Sequence, residues 1–215
     1  MAPVPTLAQL AAFVVASIIL IEIPGPSLLF ALGRALTAGR RDAILSVLGN
    51  ATGMFVQGAA VAVGLGALVA ASSTAFTVLK LAGAAYVIYL GVQAIRHRAD
   101  ARAALTGGAP DRRTTGFAAV RAGFVVGVTN PKTIVFLVAF LPQFLAPDAA
   151  AAPQILLLAT IFAVLAFASD AIWVLLASSA RTWFARKPER LDGLGATGGV
   201  MMIGLGGFLA TSPNA

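Results

Sequence analysis

The chain has 215 residues and a net charge of +7, and 59% of its residues are hydrophobic while 11% are charged. Because soluble domains carry roughly 25% charged residues, this composition indicates a membrane protein. The chain has no cysteine and one histidine, His97. These counts exclude disulfides and thiolate chemistry, and they leave little material for a histidine metal site or a Ser-His-Asp triad. We expect neither a metal nor a cofactor.

Six apolar stretches are long enough to cross a bilayer as α-helices, which takes about 20 residues each. In chain order the predicted spans cover residues 7–33, 43–70, 75–95, 117–145, 153–179 and 193–211. The expected fold is all-α, because open sheet edges cannot lie in lipid and no alternating strand patterns occur. The first stretch lacks a preceding basic segment and exceeds signal-peptide length, so we predict a retained helix.

Basic residues cluster at every second break between these spans. Thirteen of the fifteen Lys and Arg residues lie in three such regions: Arg34, Arg40 and Arg41; Arg96, Arg98, Arg102, Arg112, Arg113 and Arg121; and Arg181, Arg186, Lys187 and Arg190. Cytoplasmic loops carry such an excess, so both termini are predicted outside. We expect a multi-pass protein of the bacterial inner membrane with periplasmic termini, and the net charge requires no nucleic-acid partner.

The longest break, residues 96–116, divides the chain near its middle. It is rich in Ala, Gly and charge, so we predict a flexible cytoplasmic loop. Three spans precede it in residues 7–95, and three follow it in residues 117–211. Repeats with an odd number of spans enter the membrane in opposite directions, which is the arrangement of an inverted repeat. We therefore predict one membrane domain, residues 1–215, made of two inverted halves.

Each half opens with a helix that proline interrupts near the middle of the membrane. The first carries Pro24, Gly25 and Pro26, and the fourth carries Pro131 after Asn130. A proline in a helix leaves the carbonyl four residues earlier without its partner. The carbonyls released in this way are those of Leu20, Glu22 and Gly127. Transporters bind substrates at such breaks, whereas the alternative is a plain kink repaired by water or by Ser and Thr side chains such as Ser27, Thr129 and Thr133.

Three ionisable residues lie deep in the predicted spans: Glu22, Lys132 and Asp170. Each costs at least about 2.5 kcal/mol near the centre of the bilayer unless it is paired. One interpretation is a structural ion pair that fixes the helix register. The other is a polar site on the transport path, where the carboxylate in excess over the single ammonium could carry a proton.

Weaker signals lie in the same spans. Asn50, Gln57 and Gln143 could bind substrate, although such residues also hold helices together. Trp173 is predicted to serve packing. The pairs Gly49 and Gly53, Gly123 and Gly127, and Gly195 and Gly199 have the four-residue spacing of close helix packing.

An ordered set of motifs resembles the LysE/RhtB family of amino-acid exporters over about residues 7–210. The set consists of Pro24-Gly25-Pro26-Ser27, the segment 79–91 (LKLAGAAYVIYLG), Thr129-Asn130-Pro131-Lys132-Thr133, Phe140-Leu141-Pro142-Gln143-Phe144, and Asp170 in the fifth span. One position departs from the resemblance. Family members usually carry a small or apolar residue where this chain has Glu22, which suggests a variant that takes a cationic substrate or is linked to protons.

The resemblance implies an inner-membrane exporter of amino acids or similar small metabolites, driven by the proton gradient. The expected partners are a small-molecule substrate, the lipid bilayer and, in a homodimer, a second copy. The predicted substrate-binding residues are Glu22, Pro24, Gly25, Pro26, Ser27, Asn130, Pro131, Lys132, Gln143 and Asp170, and the predicted proton-coupling residues are Glu22 and Asp170.

Two alternatives accompany this prediction. The first is a channel or permease, which saturation and proton coupling of the flux would separate from an exporter. The second is an intramembrane enzyme or an assembly factor, in which Glu22 and Asp170 would perform acid–base chemistry. We expect no enzyme, because no metal ligands accompany these carboxylates.

Overall fold

The computed structural model describes residues 5–71, 73–99, 102, 116–146, 149–180, 183, 186–187 and 189–211. Its regular elements are all helical within these residues, which confirms the all-α prediction. They are α1 (Leu7–Glu22), α2 (Pro26–Thr37), α3 (Arg40–Ala71), α4 (Ser73–Arg96), α5 (Gly116–Val128), α6 (Pro131–Val135), α7 (Ala151–Ser179) and α8 (Arg190–Thr211). The predicted flexible loop falls largely on residues 103–115, outside the described residues.

The first predicted span is two helices that meet at the Pro-Gly-Pro segment. Helix α1 begins with a capping box, in which Thr6 Oγ1 accepts a hydrogen bond from Gln9 N and Gln9 Oε1 accepts one from Thr6 N. It ends before Pro24, and Pro26 occupies the first turn of α2, where its missing N–H costs nothing. The two helices are bent by 55°, which confirms the predicted break.

The fourth predicted span is broken in the same way. Helix α5 ends at Val128, and the Asn130 side chain caps α6 by accepting a hydrogen bond from Lys132 N at 3.1 Å. Beyond α6 the chain continues as a π turn over Phe136–Phe140 and a 3₁₀ turn over Leu141–Phe144. The bend across the break is 44°, and π and 3₁₀ turns inside a helix often mark functional hinges.

By length and composition, α3 (over Arg40–Gly64) and α7 qualify as membrane-crossing helices among the described residues. Counting each bent pair as one span gives up to four. Helix α4 contributes the shorter apolar stretch Leu81–Arg96, and α8 carries many glycines, which lower its hydropathy. The membrane-spanning character is thus supported, while six spans stay a prediction.

Helix packing brings the two halves of the chain together. Helix α3 packs mainly on α5 and α7, and α4 packs mainly on α8. An aromatic core joins α1, the π turn and α7, with Phe136 ring centroids 6.0 Å from Phe13 and 5.3 Å from Phe162. The same core includes Leu20 and Ile21, which lie next to the first break.

The contact between α3 and α5 uses two of the three predicted glycine pairs. A Cβ atom on any of the four would overlap a backbone carbonyl of the other helix: Gly49 on Val120, Gly53 on Phe124, Gly123 on Ser46 and Gly127 on Asn50. The packing role predicted for these pairs is therefore confirmed. The contact at Gly127 also sets the position of Asn50, a residue of the polar site described below.

Gly127→Ala is expected to destabilise the protein by about 1–3 kcal/mol, since overpacking forces the helices apart. The measurement is the thermal midpoint of the detergent-solubilised protein. Gly64→Ala on α3 is the matched control, because a Cβ there meets nothing within 4 Å. Equal midpoints for the two variants would contradict the packing account.

Candidate functional site

Lys132 reaches from α6 into the break between α1 and α2. Its side chain is buried, with 6% of its surface exposed. Its Nζ atom donates hydrogen bonds to the carbonyl oxygens of Ile23 at 2.7 Å and Leu20 at 3.0 Å. The Leu20 carbonyl is one that Pro24 was predicted to release, and it also accepts from Ile23 N at 3.2 Å. The ammonium group of Lys132, in the second half of the chain, therefore donates hydrogen bonds to backbone carbonyls at the break in the first half.

Gly25 leaves room for this ammonium group. A Cβ atom at position 25 would lie 3.2 Å from Lys132 Nζ and 3.4 Å from its Cε. Gly25 has an extended backbone with φ −138°, which any residue adopts, so the requirement for glycine here is one of space. The Pro-Gly-Pro segment thus provides both released carbonyls and a close approach for the lysine.

A chain of buried hydrogen bonds connects Asp170 to both breaks. Asn50 Nδ2 donates to Asp170 Oδ2 at 3.1 Å, and Ser27 Oγ donates to Asn50 Oδ1 at 3.1 Å. Asn130 Nδ2 donates to Ser27 Oγ at 2.7 Å, and Asn130 Oδ1 accepts from Lys132 N. We call these five residues the polar chain. Because each member bonds the next, the polar chain connects Asp170 on α7 to both broken helices.

Further polar groups surround the break in the fourth span. Gln57 Nε2 donates to the carbonyls of Val128 at 2.8 Å and Asn130 at 3.2 Å. The released carbonyl of Gly127 accepts from Asn130 N at 3.2 Å, while Thr129 Oγ1 bonds Val125 O instead. Gln57 Oε1 and Thr133 Oγ1 are buried and have no partner in the described structure. Such groups usually bind water or ligand.

Glu22 makes no hydrogen bond to the polar chain. Its carboxylate accepts hydrogen bonds from Ser169 Oγ at 2.6 Å and Trp173 Nε1 at 3.0 Å. Among the described residues, neither Glu22 nor Asp170 comes within ion-pair distance of Lys132. The structural ion pair considered from the sequence is therefore not formed as a direct contact, and Lys132 Nζ donates to two backbone carbonyls instead. The packing role predicted for Trp173 was incomplete, since its indole N–H holds Glu22.

Gln143 also lies apart from the polar chain. Its Nε2 atom donates to Ala139 O at 3.1 Å within its own turn. The prolines act through the backbone. Pro24 follows the end of α1, Pro26 begins α2, and Pro131 occupies the first turn of α6. Of the predicted site residues, the structure thus brings together Gly25, Ser27, Asn130, Lys132 and Asp170.

Sequence reasoning placed Asn50 among the weak candidates and missed Ser169. The signal for Asn50, as for Gln57, was an amide side chain within a largely apolar helix. The signal for Ser169 and Trp173 was their four-residue spacing, which places both on one face of α7. No group of three or more His, Asp and Glu side chains that could hold a metal occurs within the described ranges.

Comparison of the sequence with known proteins identifies a family. The family model for LysE type translocators matches residues 18–213. A Vibrio cholerae uncharacterized membrane protein is 33% identical, covering 94% of this chain and 96% of the relative. A homoserine/homoserine lactone efflux protein of Salmonella typhimurium is 32% identical, covering 95% and 97%. No solved structure gives a significant match. These matches confirm a transporter rather than an enzyme, and the chain belongs to the LysE type translocator family.

Proposed function

We propose that the protein exports small amino compounds, namely amino acids or related metabolites, across the bacterial inner membrane in exchange for protons. The observation that carries the proposal is the polar chain, which ties Asp170 and Lys132 to the breaks of both bent helices. Discontinuous helices with exposed backbone dipoles are the usual binding elements of secondary transporters. Membership in a translocator family makes such a site the first candidate for substrate.

Two groups in the polar chain retain bonding capacity for a zwitterion. Lys132 uses two of its three N–H donors on the Leu20 and Ile23 carbonyls, which leaves one for a substrate carboxylate. Asp170 accepts from Asn50 through Oδ2, and its Oδ1 atom has no hydrogen-bond partner in the part of the chain described. That oxygen is suited to a substrate ammonium.

The name of the Salmonella typhimurium relative, a homoserine/homoserine lactone efflux protein, narrows the substrate class. Homoserine and homoserine lactone share an ammonium group, but the lactone has no carboxylate. A site that accepts both compounds must therefore recognise the amine, and a carboxylate is the group that does so. If this chain shares that selectivity, Asp170 provides the common interaction and Lys132 adds affinity for substrates that carry a carboxylate.

Proton coupling follows from the same chemistry. Asp170 cannot bind a proton and pair with an ammonium at once, so proton and substrate exclude each other at this residue. A protonated Asp170 facing the cytoplasm releases its proton as the amine binds, and outside the amine leaves as a proton returns. The 55° and 44° bends provide hinges for the change of access.

The test is uptake of labelled homoserine by inside-out membrane vesicles with an acidic interior. Export in the cell corresponds to uptake here, so we expect saturable uptake that a protonophore abolishes. Homoserine lactone and other amines should compete, whereas carboxylates without an amine should not. Flux that does not saturate would indicate a channel, and saturable flux indifferent to the protonophore would contradict proton coupling.

The topology that we propose has six spans, two inverted halves and both termini outside. It is supported by the basic residues at every second break and by the packing of α3 on α7 and α4 on α8, helices at equivalent places in the two halves. A periplasm-active reporter fused after Ala215 is expected to be active, and the same reporter inserted within 99–110 is expected to be inactive. A cytoplasmic C-terminus would contradict six spans.

A further inference from the structure

Glu22 lies at the edge of an apolar groove between α1 and α7. Its carboxylate has two neutral donors, Ser169 and Trp173. We propose that this groove is a lateral binding site for an organic cation with an apolar body, such as an alkylamine, which reaches Glu22 from the lipid phase. This proposal stands whether or not the polar chain transports amino acids.

The carboxylate supplies the charge that such a ligand needs. Glu22 has no Lys, Arg or His side chain within ion-pair distance in the described ranges. Two neutral hydrogen bonds hold the carboxylate in place, and Lys132, which interacts with it electrostatically from beyond ion-pair distance, balances its charge only in part. An ammonium would add a charge-assisted bond, and the ring of Trp173 would add a cation–π contact beside it.

The shape of the groove supplies room for the apolar body. The hollow at Glu22 has a volume of about 360 Å³, and its apolar walls include Ile18, Ile21, Leu165 and Ala168. A second hollow of about 430 Å³ shares Trp173 and Leu176 with the first and is lined by apolar and aromatic residues. Small-molecule sites occupy about 300–1,000 Å³. A charged head at Glu22 and a chain extending past Trp173 therefore fit together.

The rim of the groove indicates where the ligand enters. Ile18, Ile172 and Leu176 are 44%, 58% and 56% exposed. On helices of a membrane protein, exposed apolar side chains face lipid, so this site is open to compounds dissolved in the bilayer. Asp170, by contrast, is 4% exposed. Glu22 can therefore be reached from the lipid, whereas Asp170 can be reached only from inside the protein. A lipid-soluble amine is the occupant that the groove favours.

The chain contains two tryptophans, Trp173 and Trp183, which allows a direct test. Trp183→Phe leaves Trp173 as the one fluorescent reporter in the groove. The purified protein is titrated with 6-bromohexylamine, whose bromine quenches a nearby indole, and with 6-bromohexanol as the neutral match. We expect saturable quenching by the amine and weak, non-saturating quenching by the alcohol.

Glu22→Gln in this background is expected to raise the half-saturating amine concentration at least about tenfold, because it removes the charge but keeps the side-chain size. Glu189→Gln makes the same change at an exposed position outside the groove and should leave binding unchanged. Ala168→Phe, at an exposed wall position, should abolish saturable quenching by filling the groove while Glu22 is intact.

Equal quenching by amine and alcohol would overturn the proposal, because it would show only partition of the probe into detergent. Unchanged amine binding in Glu22→Gln would overturn it as well. Absence of quenching, together with a dimer whose interface covers Ile18 and Ile172 in cross-linking, would assign the groove to a second copy instead. If Glu22→Gln does not fold, the comparison of amine with alcohol and the Ala168→Phe variant decide the question.

Discussion

Lys132→Met is expected to reduce the rate of substrate uptake by about 100-fold, equal to roughly 2.7 kcal/mol. Methionine has nearly the same length and occupies the same space, but it has no N–H donor. The substrate carboxylate would lose its ammonium partner, and the carbonyls of Leu20 and Ile23 would lose theirs. Uptake of labelled homoserine into proteoliposomes at equal protein content provides the measurement.

A modest loss of stability should accompany this change. The Leu20 carbonyl keeps its bond from Ile23 N, whereas the Ile23 carbonyl loses the Lys132 bond, which costs about 1–3 kcal/mol for an unsatisfied buried group. Lys187→Met is the matched control, because Lys187 is exposed and lies outside both breaks. It should transport normally and unfold at the unchanged temperature.

Two outcomes would remove Lys132 from the substrate site. Normal uptake by Lys132→Met would show that its ammonium is not a ligand. If the variant does not fold and addition of Asp170→Asn restores folding, the readout is substrate exchange, which Asp170→Asn alone should retain. Exchange equal to that of Asp170→Asn alone would show that Lys132 serves to balance buried charge, and exchange much weaker than that would support its role in binding.

The helices and their breaks were predictable from the sequence because both depend on local chemistry. Apolar stretches determine the spans, and proline determines where the helical hydrogen bonds stop. The release of the Leu20 carbonyl by Pro24 follows from the same rule. That Lys132 would bond this carbonyl could not be predicted in the same way, because Lys132 is 112 residues away in the chain. No local rule connects two broken helices.

The direction of Glu22 was hidden for a different reason. Helix α1 is apolar on nearly all sides, so its sequence does not reveal which face is buried. The structure buries Phe13, Ser17 and Leu20, which share one face. At about 100° per residue, Glu22 lies about 200° around the helix from Leu20, on the opposite side. Depth alone therefore grouped Glu22 with Lys132, although the Glu22 carboxylate bonds Ser169 and Trp173 and does not come within ion-pair distance of Lys132.

Asp170→Asn is expected to abolish uptake driven by a proton gradient while leaving substrate exchange measurable. Asparagine retains an oxygen that can accept the hydrogen bond from Asn50 Nδ2, so the polar chain and the fold should persist. It cannot bind or release a proton in the working pH range. The variant therefore loses the group whose protonation alternates with amine binding.

Two measurements on the same proteoliposomes separate these steps. The first is uptake of labelled substrate against its gradient with an acidic interior, and the second is exchange of labelled for unlabelled substrate without a pH gradient. We expect a loss of at least about tenfold in the first. Exchange should continue with weaker affinity, because the substrate ammonium loses its charged partner. The exchange rate should also become insensitive to pH within about one unit of neutrality.

A second test moves the carboxylate from position 170 to its hydrogen-bond partner at position 50. The double variant Asn50→Asp and Asp170→Asn exchanges the amide and the carboxylate, so that the amide introduced on α7 would donate to the carboxylate introduced on α3. Ser27 Oγ would still have an acceptor in this variant. Recovery of gradient-driven uptake in the double variant would show that a carboxylate in this chain is what coupling requires. If Asp170→Asn alone concentrates substrate as well as the unchanged protein does, the proton travels by another group, and the assignment of coupling to Asp170 is wrong.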